Sequence, residues 1–149
     1  MASRDDVYKK FGITAEAAQL FETSLGTILL AAKGMKEDWH LQPHQKKARV
    51  VLDSIQQSTL GILLKTVQQH VTFEDDVTET FCVALKTRNR LMHGFFEGHN
   101  FKIQTGNGRD EMLADLEIMH EVLFAAWQTA DRISSAFIEA LLHDAVTKV

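Results

Sequence analysis

A chain of 149 residues, 45% hydrophobic and 24% charged, makes one globular domain, residues 1–149, with a core of its own. Its net charge of −4 and pI near 5.9 argue against a protein whose whole surface grips nucleic acid, since counterion release needs clustered Lys and Arg. No apolar run reaches bilayer length, residues 1–10 lack the apolar stretch of a signal peptide, and Cys82 has no second cysteine to pair with. A soluble, cytoplasmic protein without membrane contact is expected.

Sustained apolar periodicity with one Pro predicts an all-α chain of five segments. Thr14 is expected to cap a helix over 15–32, whose stripe of Ala17, Leu20, Phe21, Leu25, Ile28 and Leu29 ends at Gly34. A linker with Trp39 and His40 follows, and Pro43 opens a second helix through Ala48, Val51, Leu52 and Ile55. Ser58 or Thr59 caps a short third helix carrying Leu60, Leu63, Leu64 and Val67. A fourth helix starts near Phe73 with the stripe Phe73, Val77, Phe81, Ala84, Arg88 and Leu91. Cys82, in this helix, reads as a small buried hydrophobe.

From Gly98 to Asp110 the pattern breaks, and the alternation Phe101-Lys102-Ile103-Gln104 beside Gly106-Asn107-Gly108 predicts a small loop or hairpin, not a phosphate-cradling loop. The last segment repeats every seven residues. Met112, Met119, Ala126, Ile133 and Ala140 fall in one row, and Leu116, Leu123, Ala130 and Phe137 in a second. This helix, on the order of 35 residues, exceeds what a small bundle needs, and dimerisation is a natural use of the surplus.

The chemistry concentrates in Arg88-Asn89-Arg90-Leu91-Met92-His93-Gly94-Phe95-Phe96. Arg offers a rigid fork of donors matched to phosphate oxygens, and His exchanges protons near neutrality. The stripe puts Arg88 on the apolar face, where a charge needs a partner or an anion. Asn89 shares a side with His93, but Arg88 and His93 stand about 140° apart around a regular helix. Either the helix distorts near Gly94 or a second copy supplies the facing residues. Lys86, Arg88 and Arg90 form one basic group; Lys46, Lys47 and Arg49 form another. No metal site is expected, because His40 and His44 lack supporting ligands and His99 follows His93 only across a loop. Ser58 and Cys82 lack the neighbours of a nucleophile.

The stretch Arg88 to Phe96, ending a helix in an all-helical chain, resembles the Arg-x4-6-His signature of the HEPN superfamily (higher eukaryotes and prokaryotes nucleotide-binding domain), and Thr59-Leu60-Gly61 is similar to a segment common there. The resemblance implies a four- or five-helix up-and-down bundle with a long C-terminal helix, pairing as a homodimer so that two motifs meet in a cleft. It also implies a metal-independent endoribonuclease with no cofactor, in a toxin-antitoxin, defence or stress setting, with RNA as substrate and an antitoxin or other protein as partner. His93 would be the general acid or base, Arg88 would stabilise charge on the phosphorus, and Asn89 would orient the phosphate or the imidazole. Lys86 and Arg90 would bind substrate.

HEPN toxins paired with a nucleotidyltransferase often carry a modified Tyr two residues after the His, where this chain has Phe95. The competing expectation is a non-catalytic dimeric binding or interaction module. There Arg88 pairs with a carboxylate across the dimer, Asn89 satisfies backbone groups, and His93 with Gly94 ends the helix.

Overall fold

Ser3 starts the first helix. In the computed structural model, which describes residues 1–148, the Ser3 hydroxyl accepts from the Asp6 amide (3.1 Å) and the Asp6 carboxylate accepts from the Ser3 amide (2.8 Å). This reciprocal box satisfies two of the amides that every helix start leaves open. Helix α1 therefore runs Arg4–Lys36, eleven residues ahead of the start expected at Ala15. Thr14 is no cap; it lies fully buried inside α1, its hydroxyl returned to the Lys10 carbonyl (2.8 Å). The helix also passes Gly34, and the chain turns at Asp38, whose φ of 56° takes the left-handed conformation that glycine usually supplies.

Four further helices follow: α2 Gln45–Gln57, α3 Leu60–His70, α4 Asp75–His99 and α5 Gly106–Lys148. His44, not Pro43, caps α2, its ring accepting from the Lys47 amide. Thr59 caps α3 as expected. Expected stripes are buried in α3 (Leu60, Leu63, Leu64, Val67) and in α4 (Phe81, Ala84, Leu91). In α2 they are only half-buried, and that helix lies on the surface. Cys82 is exposed, because Phe81 and Ala84 occupy the inward row of α4.

The segment expected to form a loop or hairpin is a 3-10 helix, Asn100–Gln104, that feeds directly into α5. Ile103 packs on the core while Phe101 stands in solvent. Gly108 is what lets the two join, since a Cβ there would fall 2.0 Å from the Lys102 carbonyl oxygen. Gly108→Ala is expected to cost about 1–3 kcal/mol through this clash with backbone, read as a lower thermal midpoint with unchanged helix content. An unchanged midpoint would mean the junction relaxes freely.

The direction of each helix follows from its contacts. Ala2 meets Asp110, Lys10 meets Glu117 and His40 meets Asp144, so α1 and α5 run parallel, side by side along most of α1. Phe11 meets Phe95 and Phe21 meets Phe81, so α4 runs against α1. The short α2 returns along the second half of α1, with Lys47 near Glu37 and Ile55 against Gly26. The result is an all-helical bundle closed by a 43-residue C-terminal helix. Its heptad rows are buried from Met112 to Ala130, while Ile133 and Phe137 are half-buried and Ala140 is exposed. Among the described residues no helix is long and apolar enough to cross a membrane.

Candidate functional site

Helix α4 carries the whole Arg88–Phe96 stretch without interruption. Gly94 does not distort it: the helix is unbroken there, and no glycine among the described residues has positive φ. Regular helix geometry then holds Arg88 and His93 about 140° apart, and one chain does not bring them together.

Arg88 lies on the inward side, its side chain 22% exposed. Its Nε donates to Glu22 Oε1 on α1 (3.0 Å) and its Nη1 to Asn89 Oδ1 (3.3 Å). The charge on the apolar face thus has a carboxylate partner within its own chain. Asn89 is exposed and orients the guanidinium through its amide oxygen.

His93 stands on the opposite, solvent side and has no hydrogen-bond partner among the described residues. It borders a shallow cavity of about 170 Å³ with Phe11, Met92, Phe95, Phe96 and Glu97. An aromatic ladder backs this cavity: Phe96 lies 5.2 Å from Phe11 and 6.3 Å from Tyr8 between ring centres. Phe95 is in the core, 5.8 Å from Phe11 and 4.7 Å from the His99 ring. The position two residues after the histidine therefore lacks a hydroxyl and is also closed to solvent.

Arg90 and Lys86 differ in their freedom. Lys86 is exposed on the same side as His93. Arg90 forms a two-pronged pair with Asp115 of α5 (2.7 and 2.8 Å), and His99 Nε2 meets the same carboxylate at 2.7 Å. This trio fastens the end of α4 to α5, with His99 Nδ1 buried and without a hydrogen-bond partner. Glu22, Asp115 and His99 were not singled out by sequence as partners of the motif. Ion pairs between residues 66 and 25 positions apart leave no periodic trace.

The Arg90 guanidinium beside Asp115, helped by His99 and opposed by partial burial, holds that carboxyl down at about 2. A carboxylate depressed on folding contributes stability above its ordinary value near 4 and loses it as pH falls toward 2. With solvent screening at this rim position, the contribution is on the order of 1 kcal/mol. Asp115→Asn is expected to flatten the loss of thermal stability between pH 4 and pH 2. A variant as acid-sensitive as the parent protein would remove Asp115 from that role.

Among the described residues no group of three or more His, Cys, Asp or Glu is placed to hold a metal ion. No family model matches the chain, and no curated protein or solved structure shows significant similarity to it.

Proposed function

We propose that this protein is an endoribonuclease of the HEPN type that works as a homodimer and needs no metal. The observation that carries this reading is the split of the motif on one rigid helix. His93 is presented to solvent, and Arg88 sits at the edge of the core with its guanidinium already oriented by Asn89. Two such helices facing each other would bring the His93 of one copy toward the Arg88 of the other, as one helix cannot.

The exposed side of α4 supports a facing copy. Met92 and Phe96 are 45% and 39% exposed, and Tyr8, beside Phe96, is 49% exposed. Met92 and Phe96, one turn apart on the helix that also carries the chemistry and continued by Tyr8, suit an interface more than open solvent.

In the reaction, the ribose 2′-oxygen attacks phosphorus and the bond from phosphorus to the 5′-oxygen breaks. His93 takes the 2′-hydroxyl proton or supplies one to the departing 5′-oxygen, one imidazole serving each shared site. Arg88 stabilises the charge on the five-coordinate phosphorus. Lys86 adds an exposed cation on the same side, while the charge of Arg90 is largely offset by Asp115. The products are a 2′,3′-cyclic phosphate and a 5′-hydroxyl. An acidic protein with a local cationic strip suits a narrow set of RNAs, and a protein partner that covers the strip would silence it.

A second reading has its own support. Glu22 satisfies Arg88 within the chain, not across a dimer as that reading expected, and a charge already paired in this way suits a non-catalytic binding module. A mixed RNA pool in EDTA, with end-group analysis and solution mass, separates the two. A dimer that yields cyclic phosphate ends establishes the ribonuclease; a dimer that leaves the RNA intact contradicts it and favours the binding module.

A further inference from the structure

About 35 Å along α1 from the level of Phe11 and His93, a cavity of about 430 Å³ opens among the end of α1, the first half of α2 and the end of α3. Lys33 and Lys36 reach it from α1, Lys46 and Lys47 from α2, and His70 from α3. The carboxylate at its rim is Glu37, 3.8 Å from Lys47. Lys33, Lys36 and Lys46 have no ion-pair partner among the described residues. Four ammonium groups thus face one carboxylate in a protein whose net charge is −4.

The bland explanation covers only half of this. Lys33 and Lys36 sit in the last turn of α1, where cations complement the helix dipole. Lys46 and Lys47 sit in the first turn of α2, where the dipole disfavours them and the turn itself carries no acidic residue, Glu37 answering Lys47 alone. The wall of the cavity is apolar and flat. Trp39 lines it with Val50 and Val51; its backbone amide donates to the Gly34 carbonyl (2.9 Å), and its ring lies so close on Gly34 that a Cβ there would come within 3.2 Å of it. Gly34, where sequence expected the helix to stop, is instead the bed on which Trp39 lies.

We infer that this cavity binds a small organic phosphate carrying a flat ring. Lysines grip phosphate as point charges, the indole face and the two valines take the ring, and the volume lies in the ~300–1,000 Å³ range of small-molecule sites. The site stands apart from Arg88 and His93 and does not depend on their activity.

Adenosine 5′-monophosphate carries both features and is the probe. In titration calorimetry at low salt it is expected to bind saturably, with adenosine and inorganic phosphate each roughly tenfold weaker or worse. The Lys36→Gln/Lys46→Gln protein, with unchanged circular dichroism, is expected to lose about tenfold or more. Quenching of Trp39 in a Trp127→Phe background places the ring, and His93→Ala is expected to bind as the parent does. The inference is overturned if the probe gives no saturable heat at millimolar concentration. It is equally overturned if the double variant binds as well, or if ring-free phosphate matches the probe and so shows only a general anion patch.

Discussion

Replacing His93 with Ala is expected to leave a folded helical dimer whose RNA cleavage has fallen by roughly 10²–10⁴-fold, the share that a positioned general acid or base supplies. The fold should survive because His93 is exposed and holds no hydrogen bond among the described residues. Its neighbours Phe95 and Leu91, not the imidazole, fill the core. Circular dichroism and solution mass check the first half of the expectation, and cleavage of a labelled RNA in EDTA the second. A variant that still cleaves at the parent rate would remove the catalytic role from this residue.

Ala130→Glu should have the opposite profile, a collapse of stability. Ala130 has no exposed surface in a single chain and sits in the heptad row with Leu116 and Leu123. A glutamate there either buries an unpaired charge or pries α5 away, a loss of about 3–5 kcal/mol. That corresponds to a thermal midpoint lower by roughly 6–20 °C for a domain of this size. A midpoint within a degree or two of the parent would show that α5 is not packed as described. Because the residue is buried within one chain, the loss should not depend on protein concentration, as it would if the row served only a dimer.

The heptad rows were legible because Met112 through Ala130 recur with one period and bury one face. They overran at Ala140 because a straight helix drifts about 20° per heptad from a seven-residue repeat, so that past Phe137 the half-buried positions are Leu141, Asp144 and Ala145, while Ala140 faces out. The first turns of α1 were missed for a different reason. Arg4 to Lys10 is polar except for Val7 and Tyr8, and the Ser3-x-x-Asp6 start signal precedes no apolar run. Tertiary contact supplies what local pattern lacks, since Val7 is fully buried. The alternation at Phe101–Gln104 looked strand-like, but a five-residue segment between two helices has no strand to pair with.

Of the site, the sequence showed that Arg88 belongs to the inward side of α4 and that it cannot meet His93 along one straight helix. It could not show that Glu22 answers Arg88, or that Asp115 draws Arg90 and His99 together, because both depend on how α1 and α5 lie against α4. Lys33 and Lys36 read as the end of a helix, and Lys46 and Lys47 as a basic group. Only the fold sets all four around Trp39.

The most direct test of the two-copy site is a mixed dimer. Arg88→Ala and His93→Ala proteins, each inactive alone, are co-expressed with different tags, and the mixed species is purified and given RNA in EDTA. If Arg88 of one copy works with His93 of the other, each mixed dimer keeps one intact site, and cleavage with 2′,3′-cyclic phosphate ends returns. A mixed dimer that forms and stays inactive would contradict the shared site and leave this helix face a binding surface.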